Sequence, residues 1–295
     1  MDFIFKYGTL ENNIDVTKIV YEKCFKENIF FIPTSDYKRA DLFTDPLFGI
    51  LKIIIIINND NTYIVKDNEF AIINSNSNNN IYIDTVENRL SKIHNSLKID
   101  FGSFSEEYPE QKMVARYLKG TEKVLEIGRN IGRNSLVIAT ILNNNNFVSL
   151  ESDYNISKQL EHNKNLNNLN FYIENSALSK RKLIQRGWDT IPSDNLIPGY
   201  NWINTINLDD LIKKYNIIFD TLVLDCEGAF YYILWDMPEI LNNINLIIME
   251  NDYHNIEHKN YIDNILQQNN FYRDYVEQGG WGVCYNNFFE VWKRN

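Results

Sequence analysis

The stretch richest in chemistry is Glu126-Ile127-Gly128-Arg129-Asn130-Ile131-Gly132, an acid in an apolar run followed by two spaced glycines. Gly128 lets a strand turn sharply, and Gly132 lets the next helix and a ligand approach backbone closely. The helix N-terminus then offers unpaired N–H groups to the same space. A dinucleotide loop wants G-x-G-x-x-G, yet its middle glycine position is Asn130. A P-loop ends in Gly-Lys-Ser/Thr, yet Gly132 is followed by Arg133 and Asn134. Neither phosphate cradle fits these residues. Glu151 stands nineteen positions beyond Gly132, at the end of a second apolar run. An acid there hydrogen-bonds a ribose diol. With Glu126 adding negative charge beside the loop, the combination suits a nucleoside with a polar or cationic amino-acid portion. S-adenosylmethionine is such a molecule.

These residues need a frame that brings strand ends together. From about Phe101 strand patterns alternate with helical ones: Val124–Gly128, a helix from Asn134, Phe147–Ser152, a helix over Ile156–Asn165, then Phe171–Leu178. After a Gly- and Pro-containing loop, Arg186–Asn201, come Asp220–Asp225, a helical Phe230–Leu241, Asn245–Glu250 and a helix over Asn260–Asn269. Such alternation predicts an α/β fold, a mostly parallel, doubly wound Rossmann-like sheet. Ligands bind at the carboxyl ends of its strands. The first 100 residues read differently, as a small α+β or β-rich extension. It holds a helix over Asp15–Lys26, an irregular Pro33–Gly49, and strands at Leu51–Ile57, Tyr63–Lys66, Phe70–Ile73 and Ile81–Asp84. The expected domains are therefore 1–100 and 101–295. The Ile-rich strand needs a cover, from the main domain or from a second chain in a homodimer.

From Lys123 to about Tyr253 the chain resembles the FkbM family of S-adenosylmethionine-dependent methyltransferases. The resemblance lies in VLEIGRNIGRNSL, SLESD, NLNNLNFYIENSALS, INLDDL, LVLDCEGAFYYIL and LIIMEND, in that order, with Asp225-Cys226-Glu227-Gly228 as the most specific mark. Arg129 departs from the small residue the family commonly has; it closes over a ligand carboxylate or points to solvent. The resemblance implies a class I methyltransferase fold and O-methylation of small hydroxylated acceptors, often sugars. By position, Ser152 would join Glu151 at the cofactor, Ser176 and Ala177 would lie beside the adenine, and Asn130 would contact the methionine end. Asp225 and Glu227 would face the methyl group and the acceptor. S-adenosyl-L-homocysteine would be the spent cofactor.

Methyl transfer needs an oxygen aligned behind the methyl and a group to take its proton. The candidate bases are Asp225, Glu227 and His254, the last beyond the fifth strand in Glu250-Asn251-Asp252-Tyr253-His254. An imidazole titrates near neutrality and suits that work. Asp225 with Glu250 or Asp252 could instead hold magnesium, which takes one or two carboxylates plus water and substrate oxygens. The segment Arg186–Trp202 carries Trp188, Tyr200 and Trp202 and is a candidate lid whose rings stack on sugars. Glu106 and Glu107, before the first strand, are candidates to close the cofactor cleft.

Composition bounds the alternatives. The 295 residues are 44% hydrophobic and 14% aromatic, enough for a core, and carry a net charge of −10. Gripping nucleic acid by its backbone needs a dense basic surface, so RNA or cap methylation is disfavoured. An N-methyltransferase on an amino sugar and a non-catalytic cofactor-binding scaffold stay open. Three scattered cysteines form no zinc spacing and no disulfide framework, and the Ile53–Ile57 run is too short to span a bilayer. A cytoplasmic protein is expected. The Asn tracts at 78–80 and 143–146 are read as loops, their abundance as the codon bias of an AT-rich genome such as that of a large virus or protist.

Overall fold

The Ile53–Ile57 run does form a strand, and its own unit covers it. The protein is described by a computed structural model over residues 3–59, 61–75 and 80–295. The chain divides into two compact units, Met1–Lys92 and Ile93–Asn295. Asn78 and Asn79 of the first asparagine tract lie outside the described residues, whereas Asn80, expected in the same loop, is a strand end paired with Asn74.

The first unit contains β1 (Ile4–Gly8), β2 (Asn13–Asp15), α1 (Thr17–Lys23), β3 (Phe25–Lys26), β4 (Ile29–Ile32), α2 (Asp36–Phe43), β5 (Ile53–Asn58), β6 (Asn61–Val65), β7 (Glu69–Asn74) and β8 (Asn80–Thr85). The unit boundary falls within α3 (Val86–Ser96). Its strands form two antiparallel sheets, β2-β1-β5-β6 and β3-β4-β7-β8. Alternation along β5 sends Ile54 and Ile56 into a core with Phe5, Phe30, Ile32 and Ile73. The strand therefore needs no second chain to bury that face. The helix expected over Asp15–Lys26 stops at Lys23, where Phe25 and Lys26 turn back to pair with Phe30 and Ile29. The segment read as irregular contains α2, which carries the fully buried Arg39.

The second unit runs α4 (Tyr108–Tyr117), β9 (Val124–Ile127), α5 (Arg133–Leu142), β10 (Phe147–Leu150), α6 (Tyr154–Leu166), β11 (Tyr172–Glu174), β12 (Ala177–Leu178), β13 (Leu183–Arg186), β14 (Asp189–Pro192), β15 (Asn201–Ile203), β16 (Thr205–Ile206) and α7 (Leu208–Tyr215). It continues with β17 (Thr221–Asp225), α8 (Ala229–Asp236), β18 (Leu246–Glu250), α9 (Ile256–Gln268), β19 (Phe271–Glu277) and β20 (Phe289–Arg294). Seven strands form one sheet in the order β11-β10-β9-β17-β18-β20-β19. The first five are parallel, and β20 runs antiparallel to both its neighbours. This is the Rossmann-like arrangement of class I methyltransferases. Strand order reverses between β9 and β17, and there the ligand crevice of such sheets opens. Beneath it, Leu125, Leu222, Leu224 and Ile247 pack with Phe230, Leu234 and Trp292.

Asparagine does work here that glycine usually does. Asn143 and Asn216 close α5 and α7 in the left-handed conformation, at φ 47° and 55°. The Asn143–Asn146 tract is a turn in which the Asn144 side chain accepts the Asn146 N–H. Two expectations change. Phe171–Leu178 is not one strand, because the chain leaves the main sheet after Glu174 and pairs Ala177–Leu178 with Thr205–Ile206. Arg186–Asn201 is not a loop alone, because β13, β14 and β15 form a small antiparallel sheet. Among the described residues no helix is long and apolar enough to cross a membrane.

Arg39 donates from Nε to the Pro33 carbonyl at 2.9 Å and from Nη2 to the Glu69 carbonyl at 2.7 Å. Replacing it strands buried acceptors, at about 1–3 kcal/mol each. Arg39→Ala is therefore expected to lower unfolding free energy by about 3 kcal/mol or more in denaturant titration. A change under ~0.5 kcal/mol would overturn this account of the first unit.

Candidate active site at the carboxyl edge of the sheet

Three left-handed residues shape the turn after β9: Gly128 at φ 68°, Asn130 at 52° and Gly132 at 92°. A side chain at Gly128 would bring its Cβ within 2.0 Å of the Asp225 carbonyl oxygen. The β9 turn thus presses on the end of β17, as only glycine allows. A Cβ on Gly132 would meet Leu160 at 2.1 Å, so this glycine seats the loop against α6. Asn130 adopts a left-handed conformation that glycine commonly supplies, and its Oδ1 accepts the Ile131 N–H at 2.9 Å.

Glu151 ties the loop to the end of β10. Its Oε2 accepts the Asn130 N–H at 3.1 Å and its Oε1 the Asp153 N–H at 2.9 Å. Asn175 braces the same corner, donating to the Glu151 carbonyl at 2.8 Å. Next to it, the Ser152 hydroxyl meets Gln185 Oε1 at 2.9 Å, and the Ser176 hydroxyl donates to Glu174 at 2.9 Å. Gly128, Asn130, Glu151, Ser152, Ser176, Ala177, Asp225 and Glu227 all line one cleft of about 360 Å³. Gly132 acts behind its wall rather than in it.

Glu126 lies under the loop, 1% exposed. Its Oε2 accepts the Ser135 hydroxyl at 2.6 Å and the Ser149 hydroxyl at 2.5 Å, while Oε1 has no partner. Arg129 points inward, not to solvent. It is 2% exposed, Nη1 donates to Ser149 at 2.6 Å, and Nε and Nη2 are unpaired. Burial pushes the Glu126 carboxyl above its ordinary value, with the guanidinium opposing, and pulls Arg129 down to about 10. A second, small cavity of about 10 Å³ adjoins, bounded by Glu107, Glu110, Glu126, Arg129, Asp225 and Glu250 among others.

Acids crowd the ends of β17 and β18. Burial, then the charges of Glu107, Glu110, Glu227 and Glu126, holds Asp225 well above the carboxylate range. Glu227 is raised to about 7 by burial and by a hydrogen bond to Asp252. Burial and a hydrogen bond to Glu110 raise Glu250 to about 11. Glu107 lies at about 7, since burial outweighs the Arg133 guanidinium 2.5 Å away. Glu227 and Gly228 both have positive φ, 50° and 77°, so the backbone is held in an uncommon form where Glu227 enters the cleft.

One expected assignment does not assemble. His254 is exposed, 4.6 Å from the Trp281 ring between centroids, and is absent from the cleft wall. A strand-end position set the right edge of the sheet but not the side chain's direction. Of the magnesium set, Asp225 and Glu250 both line the cleft. Among the described residues no three His, Cys, Asp or Glu side chains converge to hold a metal, and Asp252 is engaged with Glu227. Glu106 bonds Arg133 at 2.6 Å, and only Glu107 of that pair reaches the cleft. Trp188 lines the cleft and Trp202 does not. Sequence reasoning missed Glu110, one helical turn from Glu107, a spacing that could have placed both on one face. It also missed Arg181, which is clamped on Asp236 at 2.5 and 2.7 Å and lies 5.7 Å from the Tyr232 ring centroid. No sequence signal joins residues 55 apart.

No family model and no curated protein matches the chain. Among solved structures it is similar to a protein in the NADB-Rossmann superfamily from Streptococcus agalactiae, at 12% identity over 63% of this chain and 67% of that one, TM-score 0.41. It is similar to a ribosomal-protein methylase from Lactobacillus delbrueckii subsp. bulgaricus, at 12% identity over 67% and 83%, TM-score 0.42. It is also similar to an O-methyltransferase from Bacillus cereus in complex with SAH, at 16% over 71% and 90%, TM-score 0.38. Likenesses of this order leave the chemistry to be argued from the residues of the cleft.

The raised acids carry a sign. Glu227 binds its proton more tightly folded than unfolded, so its contribution is full below about pH 4.5 and is lost as pH rises to about 7. Glu227→Gln is therefore expected to flatten the fall in stability between about pH 5 and 7.5, measured as the denaturation midpoint against the parent chain. A steeper fall in the variant would refute the crowding described here.

Proposed function

We propose that the chain is an S-adenosylmethionine-dependent methyltransferase of the FkbM type that methylates a hydroxyl of a sugar or glycan. The observation that carries this is the junction of Glu151 with the glycine loop, placed within one cleft with Asp225 and Glu227. The residues fit the cofactor. The Gly128–Asn130–Gly132 turn leaves backbone accessible, and Glu151 at the end of β10 takes the ribose diol. On the cleft wall, Arg129 takes the amino-acid carboxylate through its unpaired Nε and Nη2, and Glu107 takes the ammonium.

Bound there, S-adenosylmethionine supplies a methyl already activated by its sulfonium. The protein's share is alignment and proton removal. The chain would hold an acceptor hydroxyl in line behind that methyl, which would pass to the oxygen with S-adenosylhomocysteine as the leaving group. The hydroxyl proton passes to Glu227, whose pKa near 7 suits a base that works near neutrality. Asp252 is a positioning residue that keeps Glu227 turned toward the cleft. RNA is a weaker alternative, because Arg129 and Arg181 are the cations of the cleft wall and both face acids.

Calorimetry with S-adenosylmethionine and S-adenosylhomocysteine tests the cofactor. Glu151→Ala is expected to weaken binding about 100-fold, the worth of two charge-assisted hydrogen bonds at about 1.5 kcal/mol each. No heat with either compound would end this reading. Labelled methyl transfer to a panel of sugars and glycans tests the reaction. Glu227→Gln should lower kcat about 100-fold or more while S-adenosylhomocysteine affinity holds within about 3-fold. Equal kcat in the variant would remove Glu227 from the base role.

A further inference from the structure

We propose that the β13–β14 hairpin serves the cofactor rather than the acceptor: it straps the nucleoside half, Gln185 latches it to Ser152, and the cofactor exchanges only when that latch opens. This rests on the methyltransferase reading and adds to it a positioning residue and a cofactor contact. Leu183 and Gln185 of β13 line the cleft, as do their register partners Pro192 and Thr190 on β14, with Ile191 between them. This side of the hairpin is a wall of the cleft. Ile184, absent from that wall, is fully buried, and its register partner on β15 is Trp202, also absent from it. The alternation along β13 thus leaves Trp188 as the tryptophan of this segment that a ligand meets.

The hairpin is attached at two places of unequal strength. Two residues before β13, Arg181 grips Asp236 of α8 through bonds of 2.5 and 2.7 Å. Toward the tip, the Ser152 hydroxyl donates to Gln185 Oε1 at 2.9 Å. Ser152 adjoins Glu151, the ribose acid of that reading, so this contact lies at the nucleoside end of the cleft. A bidentate guanidinium–carboxylate pair outlasts a single neutral hydrogen bond. The Arg181 end with buried Ile184 is therefore the hinge, and the Gln185 contact is the part that yields. Beyond it residues 186–190 are exposed, as segments that open locally are. Trp188 stands 57% exposed in the turn between the two strands and still lines the cleft. An indole held in water on a cleft wall offers its face to a flat ligand, and adenine is the flat part of this one.

Stopped-flow mixing with S-adenosylhomocysteine tests the latch. Gln185→Ala is expected to raise the association and the dissociation rate constants alike, by about 5-fold or more, because a gate multiplies both, with Kd held within about 3-fold. A residue that merely touched the ligand would change dissociation and leave association alone. Ser152→Ala removes the other half of the same bond, so it should match, and the double variant should be no faster than either single one. Trp188→Ala should weaken S-adenosylhomocysteine and methylthioadenosine by one common factor, about 10-fold, since both carry the nucleoside half. Saturation by S-adenosylhomocysteine at higher concentration checks that each variant is folded. Unchanged association in Gln185→Ala, single effects that multiply in the double variant, or unchanged methylthioadenosine affinity in Trp188→Ala would each overturn the proposal. A parent chain that binds neither compound would strike the methyltransferase reading itself, and the strap with it.

Discussion

Everything at the sheet's carboxyl edge depends on how closely the turn after β9 approaches the end of β17. Gly128 sits where any side chain would overlap the Asp225 carbonyl. That approach sets the ligand loop directly against the Asp225–Gly228 turn. Without it the strands would still pair, since Leu125 and Leu222 sit side by side in the sheet. Their two turns would then splay, and Glu151 and the pair Asp225 and Glu227 would border separate hollows. One missing methyl group makes one cleft of two strand ends.

The second constraint is electrostatic. Glu107, Glu126, Asp225, Glu227 and Glu250 are all raised by burial. Burial of this many carboxylates is unfavourable unless they are neutral or paired. Among the described residues Arg129 answers them at Glu126, and Arg133 is shared between Glu107 and Glu106. Such a site is costly to the fold, a common trade at functional sites.

How far the sequence reveals this varies with the range of the interactions. The parallel sheet was legible because apolar runs such as Leu222–Leu224 and Leu246–Met249 are buried on both faces and alternate with helices. Gly128, Asn130 and Glu151 were legible because strand ends and tight turns leave local marks. The small sheet over Leu183–Ile203 was not, because strands of three or four residues between Gly187, Pro192, Pro198 and Gly199 show no period. The direction of His254 and the inward turn of Arg129 were hidden for another reason. A long side chain's destination depends on neighbours such as Ser149, twenty residues distant.

Asparagine-rich composition bears on this. Asn130, Asn143, Asn168, Asn216 and Asn270 all hold positive φ, positions where glycine is the common choice. Glycine there would give the same turn at a higher entropic cost. Asparagine keeps a polar side chain, which at Asn130 bonds the next N–H and reaches toward Glu107 at 3.4 Å. The loop is thereby held by its own side chain as well as by Glu151, so a turn with fewer glycines than a dinucleotide loop need not be looser. Asparagine has been taken up into the chain's turns, and at the turn after β9 it adds a contact that glycine could not make.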